Sequence, residues 1–214
     1  VATFFKWAGR QPDEPQAAAC PDDGGGEVVA ASKVLPRFLS SVARRSAPVV
    51  LDLGPVVGTN VELFGERLAC KLFVQDLYEE LDRPEMAESD DLLATGLRAR
   101  LPTVAESVDG ILCWDFFDYL DGPASQALAS DLVRVLKPGG VLHAFFATTA
   151  VETDFHTRFV VEADDLIRHR TYPAARRRRR VLSPREIDRL FDGLEMAESV
   201  LLKTSSRETL FRKL

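Results

Sequence analysis

Soft and metal-ligating side chains are scarce in this sequence: 214 residues include three cysteines, three histidines and two methionines. Cys20, Cys70 and Cys113 lie far apart, form no CxxC pair and leave an odd number, which points away from a disulfide framework or a zinc site and fits a reducing cytoplasm. His143, His156 and His169 have no metal-ligand spacing with one another or with a cysteine, so no metal is expected. No apolar run reaches the roughly 18 residues of a membrane span. The start of the chain turns polar and proline-bearing too soon for the apolar core of a secretory signal. A basic surplus is lacking as well: 33 acidic against 27 basic residues give a net charge of -6, which argues against generic polyanion binding through the whole-molecule field. What the chain does have is 46% apolar residues and the length for one domain with a substantial core.

Residues 1–31 contain "RQPDEPQAAACPDDGGGE", rich in Pro, Gly and acids, and read as a flexible N-terminal arm; residues 32–214 form the folded domain. In "SKVLPRFLSSVARR" the residues Val34, Leu35, Phe38, Leu39 and Val42 fall on one helical face. The apolar run Pro48 to Leu53 then predicts a strand buried on both faces, followed by a turn with Gly54 and Gly58 and a helix-like stretch from Asn60 to Arg67. "CKLFVQD" is a second strand ending in Asp76, completing a β-α-β unit within about 30 residues. Residues 82–100 are charged and poorly patterned, standing where a further strand and helix are expected.

Three more blocks continue the alternation: "VDGILCWDFFDYL" as a strand, "SQALASDLVRVL" as an amphipathic helix, and "KPGGVLHAFFAT" as a Pro-Gly-Gly turn into a strand. Residues 152–182 are a basic insert that includes the run Arg176, Arg177, Arg178, Arg179 and Arg180. After it Ser183 caps a helix with Pro184 in its first turn, and "MAESVLLK" and "RETLFRK" predict an antiparallel edge.

The ordered set "VLDLG", Asp76, "LPTVAESVDGILCWDFFDYL", "LVRVLKPGGVLHAFF" and the two-strand end resembles the class I S-adenosylmethionine-dependent methyltransferases over roughly residues 33–214. The resemblance implies a Rossmann-like three-layer α/β/α sandwich with a seven-stranded, mostly parallel sheet whose last strand is antiparallel. It also implies S-adenosylmethionine as cofactor, lying across the carboxyl ends of the first strands, where ligands of open α/β sheets bind. The family's first motif places glycines at the second, fourth and sixth positions after an acid; here Asp52 is followed by Gly54, Val56 and Gly58, so the middle glycine is missing. Gly54 and Gly58 would admit the methionyl part, Asp52 would orient its ammonium group, and Asp76 would accept the ribose hydroxyls. Trp114 and Asp115 would line the space between sulfonium and acceptor, with Phe116 and Tyr119 in the substrate pocket. No general base is identifiable, since a tyrosine has an ordinary pKa near 10.

Plainer readings stand beside these. Asp76 could cap the helix beginning at "LYEEL", Trp114 and Phe116 could be core or pocket wall, and the arginine run could be a solvated segment, with nucleic acid or another anion a disfavoured partner. The expected activity is methyl transfer to an unidentified small-molecule acceptor. The alternative is a non-catalytic methyltransferase-like binding or scaffold module, kept open by Val56. A nicotinamide-dependent oxidoreductase is weaker, because the turn lacks GxGxxG spacing.

Overall fold

The computed structural model describes residues 26–87 and 89–214. Residues 1–25, most of the expected arm, lie outside the described residues. The rest of that segment carries strand β1 (Glu27–Ala31). Helix α1 (Leu35–Ala43) follows, with Leu35, Phe38, Leu39 and Val42 buried as their spacing predicts.

Strand β2 (Val49–Asp52), helix α2 (Gly58–Glu62), which runs on into a π turn over Leu63–Arg67, and strand β3 (Lys71–Val74) make the first β-α-β unit. Helices α3 (Tyr78–Leu81) and α4 (Asp90–Arg100) precede β4 (Val108–Trp114), and α5 (Gly122–Val135) precedes β5 (Leu136–Ala147). Two long strands, β6 (Glu152–Ala163) and β7 (Leu166–Arg178), then form a hairpin. Helix α6 (Pro184–Leu190), closed by a capping box between Ser183 and Glu186, leads to β8 (Leu194–Leu201) and β9 (Ser206–Lys213).

The main sheet has the order β3-β2-β4-β5-β9-β8. The first four strands are parallel, and β9 runs antiparallel to both its neighbours. It contains six strands, where seven were expected. The missing edge strand was expected at residues 82–100, where Pro84–Ala87 form a 3-10 turn and Asp90–Arg100 form helix α4. Between Asp90 and Arg100 only Thr95 is β-branched, Asp90 and Asp91 sit in the first turn and Arg98 and Arg100 in the last, and the buried Leu93 and Leu97 are one turn apart. Each of these features favours a helix over a strand.

Alternate residues of the central strands face two cores. Leu51, Ile111, Cys113, Leu142 and Ala144 pack under α4, α5 and α6. Val50, Leu112, Val141 and Phe145 pack under α1 and the β6–β7 hairpin. The hairpin, which spans most of the basic insert 152–182, and β1 make a second, three-stranded antiparallel sheet. Buried Glu208 joins the two layers: its carboxylate accepts from the Ser32 hydroxyl and the Lys33 amide, and His143 Nε2 lies 2.8 Å away. Gly139 and Gly140 belong to β5 itself, where a separate turn was expected; Gly139 takes φ +69°.

Candidate functional site

The carboxyl ends of β2, β3 and β4 meet at one rim of the main sheet, and most of the residues singled out in the sequence gather there. Asp52 ends β2 almost wholly buried, and its Oδ1 accepts hydrogen bonds from the Gly54 amide at 2.9 Å and the Trp114 indole Nε1 at 2.6 Å. Burial pushes its carboxyl up from 3.8 to about 6, against the two donors, which pull it down. A Cβ on Gly54 would lie 2.8 Å from Trp114 Cδ1, so glycine is required by the indole packed on it. Trp114 itself has φ +51°, a conformation few non-glycine residues adopt. Gly58 opens α2 and is exposed, as is Val56, which has 67% of its surface free and lines a groove of about 340 Å³ between the turn and Arg158, Val160 and Glu162 of β6.

The second sheet lies over this rim. Asn60 of α2 pins β6 from both sides of Val160: its amide nitrogen donates to the Phe159 carbonyl at 2.9 Å, and its oxygen accepts from the Val161 amide at 2.8 Å. Phe159 stacks on Trp114 with ring centroids 5.0 Å apart and planes 3° apart, and on its other side stacks on Phe145 at 5.2 Å. Asp82 holds His156 Nε2 at 3.2 Å, and Arg177 donates to the Leu81 carbonyl.

Asp76, after β3, has φ +35° and a buried Oδ1 with no hydrogen-bond partner. Burial, and then the charge of Glu79, push its carboxyl from 3.8 to about 6. It does not precede α3 as the cap residue; Leu77 takes that place. Of residues 82–100, Arg100 reaches this corner, donating to the Gln75 carbonyl at 2.7 Å and pairing with Glu79.

Asp115 accepts from the Tyr78 hydroxyl at 2.6 Å and lies 3.1 Å from the Arg179 guanidinium. Arg179 also pairs with Asp118 at 2.5 Å, and both Asp118 oxygens accept from the Ala147 amide. Burial still lifts the Asp118 carboxyl to about 7. Arg176 pairs with Glu152, and Arg180 donates to the Leu120 carbonyl, so the arginine run is largely spent on the protein's own edge. Phe116 is fully buried under α3, edge-on to Tyr78 at 5.0 Å, in the core, as the plainer reading had it. Tyr119 is also buried, its hydroxyl pushed up from 10 by burial; its ring meets His156 edge-on at 5.0 Å. Burial lowers His156, which favours a neutral imidazole. Among the described residues no cluster of histidine, cysteine and carboxylate side chains could hold a metal ion.

Sequence reasoning missed Asn60, Tyr78, Asp118, His156 and Phe159, and took Arg179 only as one of the arginine run. The signal available was the alternation of Thr157, Phe159 and Val161, all buried on one face of β6.

The expected cofactor meets two different ends of this rim. The unpartnered acceptor of Asp76 suits a ribose diol. Over Gly54, where the methionyl part is expected, the indole of Trp114 fills the space and already occupies Asp52, so that end does not fit the group in this conformation.

Residues 51–144 match the family model described as a methyltransferase domain. No curated protein sequence matches the chain. Among solved structures, the chain is similar to the 1,6-didemethyltoxoflavin-N1-methyltransferase of Burkholderia thailandensis, solved with 1,6-didemethyltoxoflavin and S-adenosylhomocysteine. That match has a TM-score of 0.51 and 19% identity over 85% of this chain and 77% of that one. It is also similar to the PH0226 protein of Pyrococcus horikoshii OT3, with a TM-score of 0.51 and 14% identity over 85% and 88% of the two chains. At these identities the likeness establishes the fold.

Proposed function

We propose, from the premise that the chain carries a methyltransferase domain on the class I S-adenosylmethionine-dependent fold, that it methylates a small-molecule acceptor. The observation that carries the cofactor assignment to particular residues is the buried, unpartnered Oδ1 of Asp76 beside the turn that follows β2. When bound, S-adenosylmethionine supplies a sulfonium methyl group poised for in-line displacement. The protein's part is positional. Asp76 would accept the ribose hydroxyls, Asp52 and Gly54 would shape the approach after β2 once the Trp114 indole is clear of them, and the β6–β7 hairpin would keep water from the rim of β4.

A small acceptor is supported by the similar Burkholderia thailandensis enzyme, which was solved with 1,6-didemethyltoxoflavin. A nucleic-acid partner is disfavoured, because the arginine run is engaged with carboxylates and carbonyls of the same chain. No helix among the described residues is long and apolar enough to cross a membrane. We assign the protein to the cytoplasm, which would keep the buried Cys70 and Cys113 as thiols.

Titration calorimetry with S-adenosylmethionine, S-adenosylhomocysteine and NAD tests the reading. The two sulfur compounds should bind and NAD should not. Asp76→Ala should cost about 1–3 kcal/mol of that affinity, roughly fivefold to 150-fold, with the fold intact. Because Asp76 titrates at about 6, wild-type affinity should also fall as the pH drops through 6 and its acceptor is protonated. Equal affinity in the Asp76→Ala protein would remove the ribose assignment.

A further inference from the structure

We propose that Trp114 is a plug in the cofactor cleft, latched by Asp52 and clamped by Phe159, and that S-adenosylmethionine binds by displacing it. The inference rests on the cofactor reading above and adds to it a closed state and a moving part.

Three independent features place the plug. The indole lies where a side chain on Gly54 would be, 2.8 Å from the position of its Cβ. Its Nε1 donates to Asp52, the carboxylate assigned to the cofactor's ammonium group. Its backbone is held at φ +51°, a strained value for a bulky residue, so the surroundings over-determine the backbone that aims the indole at Gly54.

The surroundings are identifiable. Phe159 covers the indole face to face, and His143 abuts it edge-on at 5.9 Å. The backbone of β6 cannot lift easily here, because Asn60 ties it down at Phe159 and again at Val161. The aromatic rings are therefore the parts that move. Phe159 also borders the cavity of about 60 Å³ lined by Asp115, Thr157, His169 and Arg179, which gives its ring room to shift but not to leave. Displacement does not strand Asp52: an arriving ammonium group replaces the indole N–H as its donor.

The chain has two tryptophans, so Trp7→Phe leaves Trp114 as the sole indole emitter. In that background S-adenosylhomocysteine is mixed rapidly with the protein while Trp114 fluorescence is followed. Binding should change its emission towards that of a less buried indole. Phe159→Ala, which removes the stacked ring, should speed association about two- to tenfold, the equivalent of one aromatic pair. Trp114→Phe, read by calorimetry, keeps a ring but has no N–H for Asp52 and should bind S-adenosylhomocysteine more tightly than wild type. Binding by the variants but not by wild type would support the plug most strongly, since a rarely opened site weakens apparent affinity. Binding with Trp114 emission unchanged, and with Phe159→Ala associating at the wild-type rate, would overturn the plug and leave the cofactor reading standing. No binding by wild type or either variant, all shown folded by circular dichroism, would overturn the cofactor reading and the plug together.

Discussion

Replacing Asp52 with asparagine tests whether the latch of this site carries a strained charge. Asparagine keeps an oxygen where Asp52 Oδ1 accepts from the Gly54 amide and the Trp114 indole, so packing and both hydrogen bonds can survive. The substitution removes a proton-binding group that burial holds at about 6 in the folded protein against 3.8 ordinarily. At about 1.4 kcal/mol for each pH unit, that difference corresponds to about 3 kcal/mol. The sign follows from proton binding. The folded state holds the proton more tightly than the unfolded chain, so the stabilisation it brings is complete below pH 3.8 and is lost as the pH rises through 6. The asparagine side chain has no such proton to lose. The variant should match wild type near pH 4 and exceed it by about 3 kcal/mol at pH 7.5, with the gap opening between those values. Urea unfolding at closely spaced pH values, with unchanged m, measures this directly. A gap that stays flat with pH, or one that opens with wild type the more stable, would refute the claim that desolvation governs Asp52.

Arg179→Ala should destabilise the fold by about 3–5 kcal/mol, because it leaves Asp115 and Asp118 buried without their cation, whereas the exposed Arg178 replaced by alanine should change stability by less than about 0.5 kcal/mol. Equal urea midpoints for the two variants would contradict the division of the arginine run into buried and solvated members. Gly54→Ala should cost about 1–3 kcal/mol and shift Trp114 emission even without ligand, since its Cβ would press within 2.8 Å of the indole; unchanged fluorescence and melting temperature would place Trp114 elsewhere.

The parallel half of the sheet was legible because its strands are buried on both faces and therefore read as short apolar runs, as in "VVLDL" and "VDGILCW". Helix α6 was legible for a local reason, the capping box of Ser183 and Glu186 with Pro184 in the first turn. The β6–β7 hairpin was not, because its arginines look like a solvated segment when their partners cannot be seen. Glu152, the partner of Arg176, lies 24 residues away in sequence, and Asp118, the partner of Arg179, lies 61 away. Neighbouring His156 and Thr157 are both buried, which breaks the two-residue period and adds to the difficulty. At the site, the residue types at the strand ends could be read, but not which of them were already engaged. Nothing in a one-dimensional pattern says that Trp114 bonds to Asp52 or that Phe159 lies flat upon it.

The missing middle glycine takes on a different weight once its surroundings are known. A glycine matters where something must come closer than a Cβ allows, and in this turn that place is Gly54, against which the Trp114 ring is packed. Val56 stands with 67% of its surface free, facing a groove towards Arg158 that neither Asp52 nor Asp76 lines. Its presence is therefore a poor argument for a lost cofactor site. The stronger constraint comes from a residue that the glycine motif does not contain. Trp114 reaches across from β4 to bond with the acid of β2, and whatever binds at this rim must compete with an intramolecular donor that is already in place. Competition of that kind lowers affinity by the fraction of molecules in the open state without altering any contact the ligand finally makes. Weak binding by the wild-type protein would thus point to the plug before it pointed to the turn, and the Phe159→Ala and Trp114→Phe proteins separate the two causes where substitution of Val56 by glycine would not.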